Sequence, residues 1–178
     1  SERQLKTLAV SLSHNKTVQD LSLSNNRLSA TKMSYFNNFL PFAVLTSLNL
    51  ENNYLCDDGI LAIITLITNV KTLLHVNLGG NHIGDPGVEK FSKYLVANYI
   101  PHHHGTKMIR QFPNLKFQNN KISDAGLKCL LKLCTINFSI STLDISGNGS
   151  ITDTGAGLIS NFLSRNRSLR HLRMSKCG

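Results

Sequence analysis

One arrangement of apolar and polar positions recurs along this chain: apolar, two residues, apolar, one residue, apolar, two residues, Asn, one residue, apolar. It fits Val18, Leu21, Leu23, Asn26 and Leu28, and again Leu45, Leu48, Leu50, Asn53 and Leu55. It fits Leu73, Val76, Leu78, Asn81 and Ile83, and then Phe112, Leu115, Phe117, Asn120 and Ile122. A fifth copy, Ile140, Leu143, Ile145, Asn148 and Ile151, carries one extra residue. A sixth, Leu169, Leu172 and Met174, has Cys177 at the Asn position. The copies begin 27, 28, 39, 28 and 29 residues apart, so a period near 28 carries one insertion of 11. One copy would carry little weight, whereas five in register establish an internal repeat.

The pattern predicts the elements. The central apolar pair alternates with polar residues, which is a short strand with one buried face. The Asn turns the chain inward, and its amide can satisfy backbone groups of neighbouring turns that would otherwise be buried unpaired. The ladder positions are therefore Asn26, Asn53, Asn81, Asn120, Asn148 and Cys177. A second half-motif follows each strand: Asp57-Asp58-Gly59, Asp85-Pro86-Gly87, Asp124-Ala125-Gly126 and Asp153-Thr154-Gly155. The first Asp of each reads as a helix N-cap. Pro86 falls in a first turn, where proline is tolerated, and the Gly lets helix approach strand closely. Apolar residues then recur at helical spacing, as in Val88, Phe91, Tyr94 and Leu95, or Leu127, Leu130, Leu131 and Cys134. Asn15-Lys16-Thr17 and Asn166-Arg167-Ser168 read as helix ends. The first unit departs from the pattern: Ser29-Ala30-Thr31-Lys32 lacks Asp and Gly, and its helix carries Phe36, Phe39 and Pro41, so an irregular helix is expected there.

Strand, Asn turn and full helix in 28 to 29 residues resembles the ribonuclease-inhibitor-like class of leucine-rich repeats. The resemblance implies an α/β solenoid, with a curved parallel β-sheet on the concave side and α-helices on the convex side. It also implies Cys as a small substitute for Asn at position 177. Six strands give a sheet roughly 24 Å along its stacking axis. The expected organisation is a single repeat domain over 1–178 with an insertion near 99–111. The chain does not begin with Met, its first residues read as helix, and neither end shows the polar capping unit that repeats use for solubility. A part of a larger chain or assembly is therefore expected.

Composition agrees with a globular reading. The 178 residues are 41% hydrophobic, enough to bury a continuous core. The longest apolar run, Ile60 to Ile67, is broken by Thr65 and falls far short of the roughly 20 residues of a membrane span. No signal-peptide pattern opens the chain. Cys129 and Cys134 lie about 140° apart around a helix, so the four cysteines read as small buried apolar residues in a reducing compartment. The sequons at Asn15, Asn137, Asn148 and Asn166 fall where the repeat itself wants Asn with Ser or Thr. Charge is uneven: residues 1–89 hold 6 basic and 7 acidic side chains, and residues 90–178 hold 13 and 3.

Three surfaces are candidates. The first is the concave face, through Asp20, Ser22, Asn49, Glu51, His75, Asn77, Lys116, Gln118, Asp144 and Arg173. The resemblance implies protein binding there. A merely solvated sheet face is the competing reading, because no aromatic anchor is present. The second is the basic excess on outer helices and a loop, through Lys128, Lys132, Arg165 and Arg167, with Lys90, Lys93 and Arg170 nearby in sequence. RNA or another polyanion would be met electrostatically, although no aromatic residues interleave with the charges. The third is the insertion, with His102, His103, His104, Lys107 and Arg110. Long loops carry function, and a contact loop is preferred to a metal site because no Cys or carboxylate stands near the histidines.

No Ser-His-Asp or Cys-His grouping and no phosphate loop has motif support. A cap explains an Asp that recurs at one position in every repeat; catalysis does not. The sequence therefore reads as a protein–protein interaction scaffold or structural subunit of a larger complex, with no enzymatic role, cofactor or metal. A basic accessory subunit of a ribonucleoprotein, such as an organellar ribosome, is one alternative. A Ran-type GTPase-activating protein is the other, since those proteins share this repeat class, but no arginine here matches such a motif. The expected location is intracellular and cytoplasmic, with cytoskeletal and organellar assemblies both compatible.

Overall fold

The computed structural model describes residues 2–37, 44–99, 114–136 and 140–178. Strands and helices alternate. They run α1 (Glu2–His14), β1 (Asp20–Ser22), α2 (Ala30–Asn37), β2 (Ser47–Asn49), a 3₁₀ turn (Asp57–Gly59) and α3 (Ile60–Asn69). Then follow β3 (His75–Asn77), α4 (Asp85–Tyr99), β4 (Asn114–Lys116), α5 (Asp124–Ile136), β5 (Thr142–Asp144), α6 (Asp153–Arg165) and β6 (His171–Arg173). The six strands form one parallel sheet in sequence order. Leu21 pairs with Leu48, Leu48 with Val76, Val76 with Leu115, Leu115 with Leu143 and Leu143 with Leu172. The repeat thus fixes the register, since a slip of one residue would turn each of these apolar side chains to solvent.

One hydrophobic core runs the length of the stack, between the sheet and the helices. Leu48, Val76, Leu115 and Leu143 are buried, whereas Leu21 and Leu172 on the outermost strands are only partly covered. Phe91 of α4 meets Phe117 edge to face, with ring centroids 5.8 Å apart. Tyr94, placed by its spacing among core residues, is instead 39% exposed, because α4 already seats Val88, Phe91 and Leu95 inward. α2 is a regular eight-residue helix over its described length; Phe39 and Pro41 lie outside the described residues.

Each strand leaves through the same turn. The residue before each ladder position has a left-handed backbone: Asn25, Asn52, Gly80, Asn119, Gly147 and Lys176, with φ between 54° and 72°. Asn and Gly tolerate that conformation. The ladder residue then reaches back one repeat. Asn120 Nδ2 donates to the carbonyls of Leu78 and Phe117, both at 3.0 Å, and its Oδ1 accepts from the amides of Asn81 and Ile83 at 3.0 Å. Asn53, Asn81 and Asn148 are buried in equivalent networks. Asn26 is exposed and its side-chain amide donates to the Ser24 carbonyl, β1 being the edge strand of the sheet among the described residues. Cys177 is half-buried, with a single long contact of 3.6 Å from its thiol to the Ile145 carbonyl.

The recurring aspartates do not cap their own helices. The residue before them does so in two helices: Ser123 Oγ accepts from the Ala125 amide and Thr152 Oγ1 from the Thr154 amide, each at 3.2 Å. Asp57, Asp85 and Asp124 instead reach forward to the next repeat. Asp57 Oδ1 accepts from Gly84 N at 2.7 Å. Asp85 Oδ1 accepts from Ser123 N at 2.8 Å and Gly126 N at 3.0 Å, and its Oδ2 accepts from the Ser123 hydroxyl. Asp124 accepts from Thr152 N at 3.0 Å and from its hydroxyl at 2.7 Å. The Gly of the next motif makes room: a Cβ at Gly87, Gly126 or Gly155 would strike Asp57, Asp85 or Asp124 Oδ1, besides crowding the Ile of its own repeat. Helix–strand approach is thus only half of what the Gly provides.

Candidate interaction surfaces

The concave face divides into a rigid part and an accessible part. Glu51, Asn77 and Gln118 stand on three adjacent repeats and bond to one another. Gln118 Nε2 donates to Glu51 Oε1 at 3.1 Å and to Asn77 Oδ1 at 3.0 Å, and Asn77 Nδ2 donates to Glu51 Oε2 at 3.1 Å. Gln118 also lies over Gly79, where a Cβ would strike its amide. Asn49, Asn77 and Asp144 also hold the strand exits, since each accepts the amide two residues on, from Glu51, Gly79 and Ser146, at 3.0, 3.0 and 3.1 Å. That bond folds the side chain back onto the strand exit, and Asp144 is only 9% exposed. Asp144, one of the concave-face candidates, thus presents little of its carboxyl to the groove.

Asp20, Ser22, His75, Lys116 and Arg173 are exposed. Register puts Lys116 beside Asp144 and Asp144 beside Arg173, so one withdrawn carboxylate lies between two presented cations. His75, Asn114, Lys116, Thr142 and Arg173 line a concave groove of ≈ 420 Å³.

The basic residues separate in space. Lys93 pairs with Glu89 on its own helix at 2.7 Å. Lys128, Lys132, Arg165 and Arg167 come together around a second groove, on the helical side between α5 and α6. His102, His103, His104, Lys107 and Arg110 lie outside the described residues, as does the sequon at Asn137. Among the described residues no three His, Cys, Asp or Glu side chains gather to hold a metal ion. None of the described helices is long and apolar enough to cross a membrane.

The cysteines are less uniform than their composition implied. Cys56 is exposed, Cys129 and Cys177 are half-buried, and only Cys134 is buried. Burial pushes the Cys134 thiol up to about 12 and raises that of Cys129. The sequons at Asn15, Asn148 and Asn166 serve the backbone. Asn15 Oδ1 accepts from Thr17 N at 2.9 Å and Val18 N at 2.7 Å, Asn166 Oδ1 accepts from Ser168 N at 3.0 Å and Leu169 N at 2.8 Å, and Asn148 is fully buried.

A family model described as Leucine Rich repeat matches residues 71–92, 114–131 and 137–160. Those segments of the chain carry leucine-rich repeats. Two solved structures share its fold. "Leiomodin-1 Actin-Binding Site 2 (ABS2)" superposes with a TM-score of 0.65 at 18% identity, covering 92% of this chain and 86% of that one. The C-terminal domain of tropomodulin from Caenorhabditis elegans gives a TM-score of 0.50 at 12% identity, covering 98% and 83%. Two Dictyostelium discoideum proteins are similar in sequence. FERM domain-containing protein C is 27% identical over 136 residues, which is 74% of this chain and 8% of that protein. Rho GTPase-activating protein gacW is 26% identical over 185 residues, 88% of this chain and 16% of that protein. The chain thus spans a small part of either relative's length.

Proposed function

We propose that this chain is a non-enzymatic protein-interaction module of the ribonuclease-inhibitor-like repeat class, a single domain within a larger intracellular, cytoskeleton-associated protein. It engages its partner through the concave face. One observation carries this reading. The Glu51–Asn77–Gln118 network holds a polar row in place beside the exposed His75, Lys116 and Arg173, so little side-chain freedom is lost on binding. Actin is the partner to test first, since one likeness is to a segment named as an actin-binding site and both lengthy relatives leave room for other domains.

GTPase activation is not carried over from gacW, since only 16% of that protein is matched.

Co-sedimentation with filamentous actin, and gel filtration with monomeric actin, test the proposal. The expected result is a complex that the double variant K116E/R173E weakens about tenfold or more, with its melting temperature unchanged because both side chains are exposed. Absence of any complex with either form removes actin. A partner recovered by pull-down whose binding ignores both substitutions overturns the concave assignment.

A further inference from the structure

α4 and α5 close on each other: Ser92 Oγ donates to the Cys129 carbonyl at 2.9 Å. α5 and α6 leave a groove of ≈ 420 Å³ between them. Its floor is apolar, from Leu131, Leu158 and Phe162. Its rim is basic, from Lys128 and Lys132 on α5, Arg165 at the last turn of α6, and Arg167 just beyond. Among the described residues no Asp or Glu lines it. Among the described residues none of the four cations pairs with a carboxylate. Arg167 donates to the carbonyls of Ser164 and Asn166 at 3.2 and 3.1 Å, which fixes one corner of the rim on the α6 C-terminus.

We infer that this groove docks an acidic amphipathic helix of a partner protein. The apolar stripe of that helix would lie on Leu131, Leu158 and Phe162, and its Asp and Glu side chains would meet the four cations. Three observations select this occupant. The groove runs between two helices over an apolar floor, which suits a helix laid along it. Four like charges around a small apolar surface repel one another, and an acidic ligand relieves that repulsion where water is excluded. RNA fits less well: among the described lining residues only Phe162 is aromatic, so successive bases have no row of rings to stack on. This surface lies on the opposite side of the sheet from the concave face and stands independently of the proposed concave partner.

The test uses a displayed library of helical peptides of about four turns, roughly 15 residues, in which a Leu/Phe stripe and the acidic positions are varied. The selected peptide is then labelled and its affinity measured by anisotropy. Enriched sequences should be acidic and striped, and a scrambled peptide of the same composition should bind about tenfold more weakly. K132E/R165E should weaken binding by about tenfold or more, and L158D should do likewise, with melting temperatures unchanged for the charge reversals. The concave variant K116E/R173E should bind the peptide normally, which separates this groove from the concave surface. No enrichment, equal binding of the scrambled peptide, or indifference to K132E/R165E overturns the proposal. Tighter binding of single-stranded oligouridine that depends on the same cations also overturns it, in favour of a polyanion patch.

Discussion

The ladder residues differ in how many partners they hold, and stability should follow. Asn120 satisfies two buried amides and at least two buried carbonyls on two repeats, so N120A leaves several buried groups unpaired. It is expected to destabilise by about 3–5 kcal/mol in urea melts. N26A, at an exposed side chain with one local bond, should cost about 0.5 kcal/mol or less. Equal losses would mean that the ladder's inter-repeat bonds carry no net stability. The last turn gives the converse case. Lys176 sits at φ 56°, where the other copies have Asn or Gly. K176G relieves that backbone, and a gain of about 0.5–1 kcal/mol is expected in the same melts. The ladder positions were legible because the same Asn returns at the same place in five copies. The left-handed turn before them was equally present in the sequence, as Asn, Asn, Gly, Asn and Gly, but the two residue types look unrelated until both are seen as tolerating positive φ. Asp144 could not be placed, since a strand-face carboxylate reads alike whether it points to solvent or folds back on its own turn.

At the scale of elements, the Asp and Gly of successive motifs behave as one device. The sequence showed both residues but not their partnership, because the spacing between them crosses a whole repeat. Asp85 with Gly126 makes the partnership measurable. G126A drives a Cβ into the Asp85 carboxylate and toward Ile122, so it should cost about 1–3 kcal/mol. D85A alone loses the bonds to Ser123 and Gly126. Combined, the two changes should cost less than their sum by about 1 kcal/mol, because the first removes part of the clash made by the second. Strict additivity in a double-mutant cycle would dissociate them. Asp124 gives the device a pH signature. The Thr152 hydroxyl, followed by the Thr152 amide, holds its carboxyl below the usual 3.8. A carboxylate depressed in the folded state contributes stability above its unfolded value, and that contribution is lost as pH falls through the folded one. T152V removes the leading cause, so NMR titration should show the Asp124 carboxyl moving up toward 3.8; an unmoved value would show that the hydroxyl does not hold it. The fold, meanwhile, was legible almost strand by strand, because parallel register repeats the leucine spacing. The α5–α6 groove was not. Its four cations stood out in the sequence, but their sharing of one apolar floor depends on how far two helices stand apart, which no spacing encodes.

Over the whole molecule, the strand and helix contacts join each repeat to its neighbours, with the Gln118–Glu51 bond reaching one repeat further, so protection should be graded rather than uniform. The inner sheet is covered on both sides: Leu78 N bonds to Lys116 O and Phe117 N to Asp144 O, each at 2.8 Å, with both side chains fully buried. The outer repeat is thinner. His171 N bonds to Ser141 O at 2.9 Å, but its strand neighbour Leu172 is half-buried and Met174 is 37% exposed. Native-state hydrogen exchange of this chain should find Leu78 and Phe117 slowest and His171 faster by about a hundredfold, a difference of roughly 3 kcal/mol in opening. Equal protection throughout would mean that the stack opens as one unit. The gradient bears on the groove as well, because α6 supplies one wall of it and packs against α5 at this thinner end. A ligand that bridges Lys128 and Lys132 to Arg165 binds only while α6 is docked, so it must slow exchange in α6 and β6 before it slows exchange at Leu78. A concave ligand that bridges His75 to Lys116 would instead slow exchange at the inner sheet first, so the order in which the two regions respond distinguishes which face a newly found partner occupies.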